Sequence, residues 1–127
     1  MYKKIVVGIF ALALMTGLFA ACSIVDASTL NTGPQAHMGS AVFKVDHIDI
    51  KKGQKVVLVD DVAVLHVILN GQWKGGTVQD PATEPGAPKI NVSIAGGSVA
   101  IGPFTQAGSF NIYCNIHGGM QLKVNVS

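Results

Sequence analysis

Arginine is absent from this 127-residue chain, and charged residues of any kind make up only 13% of it. Without arginine the chain has no guanidinium group, the planar donor that pairs with phosphates and with the edges of DNA bases. The formal charge of +2 falls to zero without residues 1–21, because seven lysines then face seven acidic residues. This composition argues against nucleic acid as a partner.

Cysteine is also scarce, with Cys22 and Cys114 as the two examples. In an oxidising compartment these two thiols could form a disulfide. The alternative is that each has its own role, since Cys22 follows an N-terminal apolar stretch and Cys114 lies close to a histidine and a methionine. We favour separate roles, because a disulfide has no need of those neighbours.

The N-terminal 21 residues are typical of an export signal. Lys3 and Lys4 precede seventeen mostly apolar residues that end in Ala20-Ala21, immediately before Cys22. Residues 19–22 resemble a bacterial lipobox, in which cleavage leaves the cysteine at the new N-terminus with lipid attached. An ordinary cleaved signal and an uncleaved anchor are the alternatives, since this length is at the lower limit for a spanning helix. All three interpretations place the domain outside the cytoplasm, and the lipobox interpretation makes it a membrane-anchored lipoprotein of the periplasm or the outer cell surface.

Two further regions follow the signal. Residues 22–41 are mostly small or polar and contain Gly and Pro, and they predict a flexible, lipid-anchored linker. His37 and Met38 fall within it, and we interpret them as linker residues rather than as an accessory pair of metal ligands. Residues 42–127 then form one small folded domain.

From residue 42 onward the sequence predicts an all-β domain. Short alternating apolar segments, with a change of phase near His47, recur every 8–12 residues and are separated by turn residues. The polar stretch 70–89 contains three of the five prolines and is predicted to be a loop. About seven to eight strands at this spacing indicate a Greek-key β-sandwich or barrel. The predicted strands cover residues 43–50, 56–59, 66–69, 90–94, 99–101, 110–114 and 122–126.

The segment Cys114-Asn115-Ile116-His117-Gly118-Gly119-Met120 contains the main chemical information. It places a thiolate, an imidazole and a thioether with two residues between each. Soft donors of this kind select copper over hard cations, and a blue-copper site has two histidines, one cysteine and a distant methionine. Zinc would gain little from a thioether. The segment supplies this set except for one histidine.

Residues 48–59, then His66, then residues 108–120 resemble the cupredoxin family of plastocyanin, amicyanin and pseudoazurin. The resemblance extends over residues 42–127. It implies one type 1 copper ion, with Cys114 as the thiolate ligand and Met120 as the weak axial ligand. It also implies that His66 and His117 are the equatorial imidazoles, although a histidine on an apolar strand is more often a core residue.

The resemblance implies a protein without catalytic residues, which carries one electron between redox proteins at the membrane as a monomer. In relatives an apolar patch surrounds the second histidine. The equivalent docking positions here are Val64, Leu65, Ile116, Gly118 and Gly119. The alternatives are a copper storage or delivery protein outside the cytoplasm, and a vestigial cupredoxin used for adhesion or scaffolding.

Three positions depart from the family pattern. Val67 stands where many relatives have Asn after the first histidine. Asp60 occupies the place of an Asn whose side chain braces the cysteine loop, and an ionised carboxylate accepts hydrogen bonds but donates none. Ile116 replaces a Pro that often precedes the second histidine, which predicts a less rigid ligand loop. We therefore expect Asp60 to support the site through different contacts.

Overall fold

The computed structural model describes residues 32–127, and this part of the chain contains ten β-strands and no helix. It therefore contains no helix that is long and apolar enough to cross a membrane. The export signal at residues 1–21 and the acylation site at Cys22 lie outside the described residues. The strands are β1 (Gln35–Met38), β2 (His47–Ile50), β3 (Val56–Asp60), β4 (His66–Asn70), β5 (Gln72–Lys74), β6 (Val78–Asp80), β7 (Asn91–Ile94), β8 (Gly97–Ile101), β9 (Gly108–Cys114) and β10 (Gln121–Val126).

The strands form two main sheets and one small hairpin. The first sheet has the order β1-β3-β8, and the second has the order β2-β10-β9-β4-β7. Strands β1 and β3 are parallel, as are β10 and β2, and the other pairs are antiparallel. Most neighbouring strands in these sheets are not consecutive in the sequence, so the chain crosses between the two sheets. This arrangement confirms the predicted all-β sandwich.

Alternation along the strands builds the core between the two sheets. In β10, Leu122, Val124 and Val126 are buried, while Gln121 and Lys123 are exposed and Asn125 is partly exposed. Because successive side chains of a strand point to opposite faces, this pattern covers one face of the sheet with apolar groups. Fully buried residues of both sheets, including Leu58 and Ile68, meet in one hydrophobic cluster.

The prediction of a linker over residues 22–41 is wrong for residues 35–38. Residues 35–38 form β1, which runs parallel to β3 with Ala36 opposite Leu58 and Met38 opposite Asp60. The side chains of Ala36 and Met38 are fully buried, whereas the ring of His37 points outward to Asp61 at 2.9 Å. The short strand thus buries every second residue, and the folded unit begins before residue 42.

Two other strand predictions need correction. The predicted strand around residues 43–45 is reduced to a single bridge between Phe43 and Met38, and Val45 is exposed. The predicted loop at 70–89 contains the hairpin β5–β6, which pairs Gln72 with Asp80 and Lys74 with Val78. Its turn contains Gly75 and Gly76 at φ values of 63° and 75°. Glycine adopts this left-handed conformation without steric cost.

The register of the second sheet brings the candidate metal ligands to one end of that sheet. His66 is the first residue of β4 and Cys114 is the last residue of β9. These strands are antiparallel neighbours, with Ile68 opposite Cys114. The connection from β9 to β10 carries His117 and Met120, and β3 ends nearby at Asp60.

Candidate metal centre

Three of the predicted ligands lie together at this end of the sandwich. One donor atom each from His66, Cys114 and His117 lies within 4.8 Å of the others, and no other such group occurs within residues 32–127. The Sγ atom of Cys114 is 3.4 Å from Nδ1 of His117. The two imidazole centroids are 5.0 Å apart. The fold therefore brings together side chains that are 48 and 51 positions apart in the sequence.

His66 is fully buried, and neither of its ring nitrogens has a hydrogen-bond partner among the described residues. Burial lowers the pKa of His66. The Asp60 carboxylate and the Gly39 backbone oppose this effect, and His117 adds to it. The ring is therefore held neutral, the form in which imidazole binds metals. Two unpaired nitrogens in a buried ring are unfavourable unless a ligand satisfies one of them.

Backbone hydrogen bonds close the loop that carries the other three candidates. The amide of Cys114 donates to the carbonyl of Met120 at 2.9 Å, and the amide of Met120 donates to the carbonyl of His117 at 3.2 Å. Cys114 is a free, fully buried thiol, and Met120 is buried beside it. The loop and the start of β4 therefore form one His-Cys-His-Met arrangement.

Asp60 contacts the backbone around His66 and not the Cys114 loop. Its Oδ1 accepts a hydrogen bond from the amide of Val62 at 3.1 Å, and its Oδ2 accepts one from the amide of Gly96. Burial alone would raise the pKa of this carboxyl, but these amide donors hold the pKa below its usual value. Oδ1 lies 3.9 Å from Nε2 of His66. Asp60 thus fixes the segment before His66 and the turn between β7 and β8.

The predicted docking positions differ in exposure. Leu65 and Ile116 are about half exposed, at 51% and 48%. His117 is partly exposed. Gly118 and Gly119 are exposed and Val64 is partly buried. The glycines are not entirely uncovered, however. A Cβ atom at Gly118 would lie 3.5 Å from the carbonyl oxygen of Gly76, in the hairpin turn.

One residue beside the site was missed by the sequence analysis. The indole Nε1–H of Trp73 donates a hydrogen bond to the carbonyl of Cys114 at 3.0 Å. Trp73 lies in β5, inside the stretch that was predicted to be a loop. It is the only tryptophan of the chain. The signal that could have indicated this contact is the presence of a single tryptophan in an otherwise polar segment.

Comparison with solved structures identifies the fold. Amicyanin from Paracoccus versutus (Thiobacillus versutus) is 22% identical, with a TM-score of 0.55 over 74% of this chain and 80% of that chain. A purple cupredoxin from Nitrosopumilus maritimus is 18% identical, with a TM-score of 0.54 over 75% of this chain and 100% of that one.

The chain has the cupredoxin fold. An amicyanin variant in its reduced state is also similar, with 18% identity and a TM-score of 0.55 over 74% of this chain and 81% of that one. No protein-family model and no curated protein matches the sequence.

Within this cupredoxin fold the donor set fits one copper ion. Sulfur and imidazole donors suit copper, whereas calcium, magnesium and manganese prefer oxygen ligands. The Asp60 carboxylate is the acidic group nearest to His66, and both of its oxygens already accept hydrogen bonds from backbone amides. The unpaired nitrogens of His66 and the adjacent thiol leave a soft coordination site rather than a hard one.

Proposed function

We propose that this protein is a blue-copper electron-transfer protein that carries one electron between redox partners. One observation carries the proposal, namely the convergence of His66, Cys114 and His117 donors with both His66 nitrogens unpaired. Bound copper supplies a Cu(II)/Cu(I) couple whose potential depends on the axial ligand and on hydrogen bonding near the sulfur. The similarity to an amicyanin variant in a reduced state supports a redox role.

The protein residues contribute fixed positions and exclusion of water. His66, Cys114 and Met120 are fully or almost fully buried, and within residues 32–127 the partly exposed His117 is the one candidate ligand that reaches solvent. These three side chains expose almost no surface to a substrate molecule. This arrangement favours electron exchange at a surface over substrate turnover, and we infer that the protein is not an enzyme.

We further infer that cleavage after residue 21 leaves Cys22 as a lipid-modified N-terminus outside the cytoplasm. The anchor would keep the cupredoxin domain, as a monomer, close to redox proteins at the membrane. Those proteins would dock around His117, where Leu65 and Ile116 provide exposed apolar surface. Electron exchange would then run through the imidazole of His117.

Titration with Cu(II) tests the proposal on a chain that begins at Ser23. We expect one copper per chain and intense blue or green absorption from thiolate-to-copper charge transfer, which ascorbate should bleach reversibly. Cys114→Ser should remove the absorption and leave the circular dichroism spectrum unchanged. Stoichiometric Cu(II) binding without colour would refute the proposal. Loss of copper on each reduction would instead favour copper storage or delivery.

A further inference from the structure

The hairpin β5–β6 lies against the loop that carries three of the four candidate ligands. Trp73 makes two hydrogen bonds there. Its indole N–H donates to the carbonyl of Cys114 at 3.0 Å, and its backbone N–H donates to Oε1 of Gln121 at 2.8 Å. Cys114 begins the ligand loop, and Gln121 directly follows Met120 at its end. A single residue outside the loop therefore contacts both of its ends.

Further contacts keep the hairpin in this position. The ring of Trp73 meets the ring of Tyr113 edge to face, with centroids 6.1 Å apart. The hydroxyl of buried Tyr113 lies 3.2 Å from Oε1 of Gln79 in β6. The hairpin turn reaches the ligand loop, because a Cβ atom at Gly119 would lie 3.7 Å from Cα of Gly76.

The ligand loop has few constraints of its own. It has Ile116 before the second histidine, where proline would restrict the backbone. Among the described residues, the loop amides that donate backbone hydrogen bonds are those of Cys114, Asn115 and Met120. The Oδ1 atom of Asn115 is buried without a hydrogen-bond partner among the described residues. Contacts from outside the loop therefore add to the two backbone hydrogen bonds that close it.

We propose that Trp73 is a positioning residue that holds the copper-ligand loop in its binding geometry from outside. This inference rests on the proposed copper site, which it deepens. The indole N–H fixes the carbonyl of Cys114 and so limits rotation of the backbone that carries the thiolate. The positive end of the N–H dipole also points toward Cys114, where it favours the additional negative charge of the reduced site.

The variant Trp73→Phe tests this role, because it keeps an aromatic ring against Tyr113 and removes only the indole N–H. In the metal-free protein we expect the amides of Cys114 and Met120 to exchange with deuterium about fivefold faster, as loss of one hydrogen bond predicts. In the copper-loaded protein we expect faster release to a chelator by a similar factor and a lower reduction potential.

The matched control is Lys74→Gln in the same strand, which removes an exposed ion pair with Asp80 at 2.9 Å and leaves the loop contacts intact. Its exchange rates, release rate and potential should equal those of the wild type. The proposal is overturned if Trp73→Phe also behaves like the wild type. If Trp73→Phe does not fold, exchange of the indole N–H of Trp73 is measured in the wild type, and an indole N–H that exchanges as fast as a free one would overturn the proposal.

These outcomes separate the inference from the proposed function. A wild-type protein without thiolate–copper absorption would refute the copper assignment, while deuterium exchange in the metal-free protein would still report on Trp73. Conversely, normal absorption in the wild type combined with wild-type exchange, release and potential in Trp73→Phe would leave the copper site in place and refute the positioning role.

Discussion

His66 shows the conflict between stability and function in a single side chain. The ring is completely buried, and both nitrogens lack hydrogen-bond partners among the described residues. An unsatisfied buried polar group costs roughly 1–3 kcal/mol of stability. A core position filled only for packing would carry an apolar side chain instead. The cost is offset once a metal accepts the lone pair of one nitrogen.

Asp60 provides a pH-dependent test at the same scale. Burial alone would raise its pKa, but the amides of Gly96 and Val62 hold the pKa below the usual 3.8. A carboxyl with a lowered folded-state pKa stabilises the protein above pH 3.8, and this stabilisation is lost as pH falls through the lowered value. Asp60→Asn places an NH₂ donor against one of the two amides and should destabilise the metal-free protein by about 1–3 kcal/mol at pH 7.

Urea unfolding at pH 7 and at pH 2–3 measures this effect. The difference between the wild type and Asp60→Asn should shrink at the acidic pH, because the wild-type carboxyl becomes protonated there. Asp46→Asn is a suitable control, since that carboxylate is exposed beside His47. An Asp60→Asn protein as stable as the wild type at pH 7 would show that the two amide contacts contribute little.

At the scale of elements, the strands with a continuous or alternating apolar pattern were predicted correctly. β3, β4, β9 and β10 carry three or more buried residues each, and their periodicity is visible in the sequence. The first strand was missed because its residues 35–38 lie beside Gly and Pro and include only two buried positions. The hairpin β5–β6 was missed because none of its residues is fully buried.

In the candidate metal site, too, some residues could be predicted from the sequence and others could not. Spacing and residue type indicated Cys114, His117 and Met120, and the resemblance to cupredoxins indicated His66, because metal ligation requires particular side chains. The contacts of Trp73 and Asp60 depend on backbone atoms, an indole N–H to a carbonyl and a carboxylate to two amides. Backbone partners carry no residue identity, so a sequence pattern cannot indicate them. Tertiary contacts of this kind are visible only in the fold.

Strand β1 supports a prediction about where the folded unit begins. Met38 is fully buried in the core, opposite Asp60 in the parallel pair with β3. We expect Met38→Ala to lower the free energy of unfolding by about 2–5 kcal/mol, as measured for large-to-small substitutions in cores. Val42→Ala is the matched control, since Val42 is 57% exposed and should change stability little. Equal stability of all three proteins in urea would contradict a structural role for β1.

At the scale of the whole molecule, a nearly neutral domain with an apolar rim predicts electron exchange that depends weakly on salt. Few charged contacts would need screening at a docking face formed around His117 by Leu65 and Ile116. Gly118→Glu introduces bulk and charge at this face. We expect slower electron transfer to the partner with a nearly unchanged copper spectrum, measured by stopped-flow at several ionic strengths.

The control for this experiment is Asn91→Glu, an exposed position at the far end of β7. It adds the same charge away from His117 and should leave the transfer rate unchanged. A Gly118→Glu protein that transfers electrons at the wild-type rate would argue against this docking face. So would a wild-type rate that changes by orders of magnitude with salt.

Attachment to the membrane is a separate prediction for the whole chain. A clickable fatty acid supplied to a bacterial host should label the full-length protein, and Cys22→Ala should abolish the label. Stable anchoring requires two or three acyl chains, since a single chain binds membranes only marginally. Cys114→Ser, the other cysteine variant, should retain the label. Label that persists in Cys22→Ala would mean that another residue is acylated.

The parallel pairing of β1 with β3 also fixes the pole at which the N-terminal part of the chain enters the folded domain. β3 runs toward the copper end and finishes at Asp60, so β1 enters the fold at the opposite pole, where Gln35 pairs with Val57. Twelve residues separate Cys22 from Gln35, and a fully extended chain of this length spans at most roughly 45 Å. An anchor at Cys22 would thus hold the protein by its distal pole and present His117 outward, to partners approaching from the aqueous side.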